Sequence, residues 1–229
     1  MSALSTAFVT NLLNHYFQNA DHANIGDAAG IQNSTAAGSF YPALHSADPG
    51  DAGSQNTSEI TYTGYARPAI ARSAGGFSTS GKTVSPVAEI SFGKRTDVGS
   101  TTAFFWSIGT DVSGAGNLIL RGGIGPAPTP FTAAISDTVT SNAHGMIVDD
   151  RVVFWQYEAG SLPTGITEGT VYWIKTAPDA NTFTVSTTQG GATLDITAVG
   201  NGTVQRITPI TITQNVRPVL ETGTTIRLQ

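Results

Sequence analysis

The chain opens with a run of large apolar side chains at helical spacing. These are Leu4, Phe8, Leu12 and Tyr16, four residues apart, with Val9, Leu13 and Phe17 beside them. Side chains three or four positions apart share one face of an α-helix. The pattern therefore predicts an amphipathic helix from about Leu4 to Gln18, with Ser2 or Ser5 as its N-cap.

The apolar face of this helix has two possible uses. We expect it to cover the end of a sheet, because an amphipathic helix ordinarily buries its apolar stripe in its own domain. The alternative is that the helix docks on a neighbouring subunit. The candidate partner-contact residues on it are Leu4, Phe8, Leu12 and Tyr16.

After a polar loop over residues 19–38, short β-like stretches alternate with turns rich in Gly, Pro and Asp. The predicted strands are Ser39–His45, Ile60–Ala71, Phe77–Thr83, Val84–Phe92, Thr102–Ile108 and Asn117–Arg121. Short strands at nearly regular spacing are typical of sandwiches and barrels. We therefore predict a mainly β fold, a jelly-roll-like antiparallel β-sandwich with one N-terminal helix.

A Gly- and Pro-rich linker, Gly122–Pro130, interrupts this pattern. A second series of predicted strands follows: Asp137–Ser141, Arg151–Trp155, Thr170–Lys175, Thr182–Ser186, Ala192–Thr197 and Thr203–Ile207. The tail adds Ile210–Thr213, Arg217–Leu220 and Thr224–Leu228. Because exposed loops tolerate insertions, we interpret residues 131–207 as a small inserted β domain. Residues 1–130 and 208–229 would together form the first domain.

The charge composition narrows the possible partners. Charged residues make up 12% of the chain, about half of the roughly 25% usual in soluble domains. The net charge is −5, and no basic cluster is present of the kind that phosphate neutralisation needs. We therefore expect no direct binding to nucleic acid, and a polar but mostly uncharged surface suited to docking on proteins.

The sequence also narrows the compartment. It has no cysteine, which excludes disulfides and thiolate chemistry. It has no run of 18 apolar residues, so we expect no membrane-spanning segment. Residues 1–4 lack the basic region that starts a signal peptide, so we expect none, and assembly in a cytoplasm.

Catalytic and metal-binding patterns are missing from the sequence. The four histidines do not follow a zinc-helix spacing. The acidic pairs, Asp149 with Asp150 and Asp48 with Asp51, are better suited to turns than to paired-carboxylate catalysis. Gly122–Gly125 lacks the lysine and helix of a phosphate-binding loop. We therefore predict no catalytic residues, no metal site, no cofactor and no enzymatic activity.

Aromatic side chains leave two alternatives open. Phe104, Phe105 and Trp106 must alternate between the two faces of one strand. Four more rings, of Trp155, Tyr157, Tyr172 and Trp173, lie in the predicted inserted domain. A domain of that size needs rings for its core, but Trp155 and Trp173 are also candidate contacts to a partner or a surface sugar.

Two sets of motifs resemble known proteins. The first comprises Asn11–Phe17, Ile25–Ile31, Gly38–Gly50 and Tyr62–Arg67. It resembles a family of virion proteins of tailed phages, labelled tail-fibre-like or capsid-associated, and covers roughly residues 4–121 and the C-terminal strands. The second comprises Val139–Gly145, Asp150–Phe154, Leu162–Ile166, Tyr172–Ile174 and Asn181–Ser186. It resembles a β module inserted in many phage structural proteins.

The resemblance implies a structural component of a virion, assembled in the host cytoplasm. Our first hypothesis is a capsid decoration or cement protein that binds the major capsid protein or other virion proteins. It would be a homo-oligomer, with a trimer favoured. The alternative is a tail or tail-fibre protein that contacts the host surface or its glycans.

Overall fold

The computed structural model describes residues 4–156, 160–221 and 226–227. Its one helix is α1 (Thr6–Gln18). Its strands are β1 (Ser39–His45), β2 (Ile70–Ala71), β3 (Phe77–Ser80), β4 (Thr83–Pro86), β5 (Ile90–Ser91), β6 (Ser100–Ala103), β7 (Phe105–Gly109), β8 (Leu118–Gly123), β9 (Thr129–Ala133), β10 (Val139–Thr140), β11 (Arg151–Trp155), β12 (Val171–Thr176), β13 (Thr182–Ser186), β14 (Gly200–Ile207), β15 (Ile210–Thr213), β16 (Val219–Leu220) and β17 (Ile226–Arg227). The predicted mainly β fold with one N-terminal helix is confirmed.

Local sequence accounts for both ends of the helix. Ser5 is the N-cap, and its hydroxyl accepts a hydrogen bond from the backbone N–H of Phe8 at 3.3 Å. Asn19 ends the helix in the left-handed conformation, with φ of 55°, which asparagine tolerates better than most residues. The predicted helix and one of its two predicted caps are therefore confirmed, while Ser2 lies outside the described residues.

The first part of the chain forms a four-stranded antiparallel sheet in the order β2-β1-β7-β8. Three small sheets lie beside it, and each of them contains a strand from the tail. Strand β15 pairs with β6, β16 with β5, and β17 with β4. The tail thus runs back along three earlier strands in reverse order and closes the first part of the structure with long-range pairing.

Helix α1 covers one core of this first part. Its buried side chains are Val9, Leu13 and Phe17. They pack with Phe40, Phe77, Val84 and Ile108 from the strands. The rings of Phe17 and Phe77 meet edge to face with centroids 5.2 Å apart, a geometry that aromatic pairs prefer. A second core, built around Leu44, Phe92 and Ile212, lies under the tail strands.

The second part is a closed six-stranded barrel in the order β10-β13-β12-β11-β14-β9. Its interior is filled by side chains that include Phe131, Phe154, Tyr172, Phe183 and Val204. The barrel strands run from Thr129 to Ile207, close to the range predicted for the inserted domain. The division into two domains stays a prediction, because it concerns independent folding rather than strand pairing.

Four strand predictions were wrong in detail. Val84–Phe92 is divided after Pro86 into β4 and β5, which belong to different sheets. Ile60–Ala71 is a strand only at Ile70–Ala71, because a reverse turn closes between Tyr62 and Tyr65. Ala192–Thr197 is not a strand, since the barrel closes by pairing β9 with β14 and leaves this segment outside the ladder. Thr102–Ile108 is divided at Phe104 into β6 and β7, which belong to different sheets. The predicted strand Thr224–Leu228 is described only at Ile226–Arg227.

Candidate functional site

The outer face of α1 is an exposed apolar stripe. Leu4, Phe8 and Tyr16 are 53%, 38% and 40% exposed, and Leu12 is half-buried. Phe8, Leu12 and Tyr16 form one row along the helix, Leu4 precedes that row, and the buried residues Val9, Leu13 and Phe17 form the adjacent row. The predicted apolar face therefore consists of two stripes. One covers the sheet, and the other is open to a partner.

A short segment extends this stripe beside the helix. The backbones of His22 and Ile31 form an isolated antiparallel bridge. The His22 ring lies 5.4 Å from the Phe8 ring, measured between centroids, and Ile25 and Ile31 remain exposed. We call the group Leu4, Phe8, Leu12, Tyr16, Ile25 and Ile31 the helix patch. It contains no charged side chain, and residues 1–20 contain none either.

A second site lies where the barrel meets the four-stranded sheet. Phe105 from the sheet packs with Val153 and Ile207 from the barrel. The amide of Gln205, a barrel residue, donates to the carbonyl oxygens of Gly123 and Pro126, each at 3.0 Å. These bonds span the two parts and are buried, so they hold the barrel at one orientation on the sheet.

An ion-pair network continues the junction at its surface. The guanidinium of Arg121, on β8, donates to both Asp48 and Asp51 and lies 3.8 Å from the Glu168 carboxylate. It also lies 5.2 Å above the Trp155 ring of the barrel. Burial alone would lower the pKa of Arg121, but the two aspartates outweigh it and raise that pKa. Arg121 therefore stays charged and links sheet to barrel.

A cleft of about 610 Å³ opens beside this network. Its sheet wall includes Asp48 and Phe104, and its barrel wall includes Arg151, Glu168 and Trp173. We call it the junction cleft. Small-molecule sites have volumes of roughly 300–1,000 Å³ and combine apolar walls with a few placed polar groups, and this cleft has both properties.

The candidate tryptophans have different environments. Trp155 packs edge to face on Phe105 at 6.2 Å between centroids, and its indole N–H donates to Gln205 at 3.1 Å. Trp173 is half-buried in the wall of the junction cleft. Tyr172 lies in the barrel core, and Tyr157 lies outside the described residues. Neighbouring rings therefore have different roles: Tyr172 belongs to the barrel core, and Trp173 lines a cleft where it can contact a ligand.

The buried histidine His45 has structural partners. Its Nδ1 donates to the carbonyl oxygen of Thr57 at 2.9 Å, which leaves Nε2 to accept from the Ser107 hydroxyl at 2.7 Å. Both side chains are fully buried, so this serine–histidine pair is closed to a substrate. Burial lowers the pKa of His45, opposed by its bond to Thr57. Within the described ranges, no three acidic or histidine side chains are grouped as a metal would require.

The motif Tyr62–Arg67 forms a buried clasp. Arg67 donates to both carboxylate oxygens of Glu59, at 2.8 and 2.6 Å, and the Tyr65 hydroxyl donates to the same carboxylate at 2.9 Å. The Arg67 guanidinium also donates to the carbonyl oxygens of Asp111 and Gly114. This motif therefore holds the loop after β7, and its role is structural.

Comparison with known families is decisive for the class of protein. A model of the family described as podophage GP4 fiber I protein gp80 matches residues 3–149, well over half of the chain. The chain belongs to this family. It is therefore a structural protein of a phage virion, as the resemblance of its motifs implied. No curated protein matches the chain.

The family match covers the two sites unequally. Residues 3–149 include the whole helix patch and the sheet wall of the junction cleft, with Asp48 and Phe104. The barrel residues Arg151, Glu168 and Trp173 lie beyond the match. Sequence reasoning also missed Arg121 and Arg151, because their partners are far away in the chain and only the sheet register brings them together. In the described part of the chain, no helix is long and apolar enough to cross a membrane.

Proposed function

We propose that this protein is a tail-fibre component of a podophage particle and acts without catalysis. The family match over residues 3–149 carries the proposal, because the family is described as a fibre protein. That description favours the tail-fibre alternative over capsid decoration. The non-enzymatic role is supported by the engagement of His45, Glu59 and Asp48 in structural hydrogen bonds and ion pairs.

The helix patch is the surface that we propose for assembly with further copies of the chain. In a symmetric oligomer, residues near the axis meet their own copies, so a charge there would face a like charge. Residues 1–20 contain no Asp, Glu, Lys or Arg, in a chain with 27 such side chains, 11 basic and 16 acidic. The apolar row of the helix satisfies this condition, and the Arg72 guanidinium at its C-terminal end is bonded to the carbonyl oxygens of His15 and Tyr16. A trimer is the oligomer that we favour.

A cryo-electron-microscopy reconstruction of the whole particle tests the proposed function. We expect density for this chain in the tail, with copies related by symmetry and their helix patches at the contact between them. Density on the capsid lattice, in contact with the major capsid protein, would overturn the fibre proposal and support a decoration protein instead. Size-exclusion chromatography with light scattering tests the oligomer separately, because a monomer at all concentrations would exclude assembly through the patch.

A further inference from the structure

The side chain of Arg151 in the junction cleft is held in an unusual way. Its guanidinium carbon lies 4.2 Å from the ring centroid of Trp173 and 5.7 Å from that of Phe104. Arg151 and Trp173 are directly paired across β11 and β12, so the register of the barrel fixes this stacking. Among the described residues, the guanidinium of Arg151 has no hydrogen-bond or ion-pair partner. Its N–H donors are therefore positioned by two aromatic rings and remain available.

The opposite wall contains a carboxylate oxygen without a hydrogen-bond partner. Asp48 has a side chain only 9% exposed, and one of its carboxylate oxygens, Oδ2, is bonded to Arg121. The other oxygen, Oδ1, is buried without a hydrogen-bond partner in the described structure. A buried carboxylate oxygen without a partner is costly, and Asp48 lines the cleft. A ligand hydroxyl that reached it would remove that cost.

The chemical groups on the two walls of the cleft restrict the class of ligand that can bind there. The cleft has an unused donor group in Arg151, an unused acceptor in Asp48, and apolar ring surface in Phe104 and Trp173. A sugar hydroxyl both donates and accepts, and the C–H groups of a pyranose ring pack against aromatic surface. An acidic ligand fits less well, because the carboxylates of Asp48 and Glu168 line the same cleft. A purely apolar ligand would leave the polar groups of both walls unpaired.

We propose that the junction cleft binds a neutral pyranose unit of a bacterial surface polysaccharide. Arg151 donates to the sugar hydroxyls, Asp48 accepts from one of them, and Trp173 with Phe104 provides the apolar surface. The assignment of the polysaccharide rests on the proposed fibre function, since a tail fibre is the part of a particle that meets the host surface. The buried bonds of Gln205 across the junction keep the two walls at a fixed separation, so the cleft is formed before the sugar arrives.

The test uses the full chain and arrays of two probe sets, neutral hexose oligosaccharides and oligosaccharides that contain hexuronates. Binders are then measured by titration in solution. We expect at least one neutral oligosaccharide to bind. Arg151→Met keeps the apolar stem and removes the donors, so it should weaken binding roughly tenfold to hundredfold. Arg206→Met is the matched control, because Arg206 lies on the neighbouring strand β14, outside the cleft lining, and should leave affinity within about twofold.

A second variant tests binding in a chain that is shown to be folded. Asp48→Asn keeps the shape and one oxygen of the side chain, and it should weaken sugar binding in a chain whose melting temperature shows that it is folded. No binding to any neutral oligosaccharide would overturn the proposal, as would binding only to hexuronates or equal affinity in all variants. These outcomes are distinct from failure of the fibre function, since localisation on the particle is measured without any sugar.

Discussion

Two adjacent leucines on α1 test which row of the helix packs in the core and which row contacts further copies of the chain. Leu13 is 1% exposed and packs in the core under the helix, whereas Leu12 is half-buried and belongs to the helix patch. Leu→Ala changes the same atoms and the same helix propensity at both positions. Any difference between the two variants therefore reports their surroundings rather than the helix.

The expected sizes follow from burial. Leu13→Ala removes a fully buried side chain and leaves a cavity, which costs about 2–5 kcal/mol of the free energy of unfolding. Leu12→Ala removes a side chain that is partly in water already, so the cost should be below about 1 kcal/mol. Urea denaturation followed by circular dichroism measures both values. At a fixed slope, a 3 kcal/mol loss would move the midpoint by about 1 M or more.

The same two variants separate stability from assembly. If the helix patch joins copies of the chain, Leu12→Ala should raise the concentration at which oligomers dissociate, with little change in the unfolding of the monomer. Leu13→Ala should lower the free energy of unfolding of the monomer but leave the dissociation of oligomers nearly unchanged, at concentrations where the chain is folded. Equal losses of stability in the two variants would refute the assignment of the faces. An unchanged oligomer in Leu12→Ala, and also in Phe8→Ala, would refute the role of the patch.

Three further predictions concern the free energy of unfolding. Arg67→Met should lower the free energy of unfolding by about 3–5 kcal/mol, because it leaves the Glu59 carboxylate buried without its partner; a double variant with Glu59→Leu should recover part of the loss in the same denaturation assay. His45 has a lowered pKa in the folded chain, so as the pH falls the unfolded chain binds the proton first. The free energy of unfolding should therefore fall between about pH 6.5 and pH 5, by up to roughly 1.4 kcal/mol per pH unit. His45→Gln should remove this dependence of the free energy of unfolding on pH, and an unchanged dependence would contradict the assignment. Gly64→Ala should lower the free energy of unfolding by roughly 1–3 kcal/mol and the melting temperature by several degrees. The reason is that Gly64 has φ of +100° and a Cβ would lie 2.3 Å from the Lys94 carbonyl oxygen. A melting temperature equal to that of the unmodified chain would disprove the strain.

Local patterns were sufficient to predict elements whose causes are local. The helix and its Ser5 cap each depend on residues within a few positions of one another. The barrel strands β11, β12 and β13 lie within one residue of their predicted bounds, because alternation and β-branched content define them without help from the rest of the fold.

Other features depend on side chains that meet only after folding. The segment Ile60–Ala71 has β-like alternation, but Tyr65 and Arg67 are used in the clasp on Glu59, and this use replaces ladder pairing. The seven apolar residues of the helix predicted one broad stripe. The pattern could not show that the sheet covers only Val9, Leu13 and Phe17. No local pattern distinguishes a helix face that is covered from one that is open.

The junction cleft depends still more on long-range pairing. Asp48 and Phe104 come from the part of the chain that the fibre family model matches, and Arg151 and Trp173 come from the barrel beyond it. A ligand held by both walls therefore needs the barrel in one orientation, and the contacts of Gln205 and Arg121 across the junction provide it. A change in the barrel wall could alter the bound sugar without disturbing the helix patch, because the two sites share no side chain. With the roles proposed for the two sites, assembly and recognition are therefore separable by mutation.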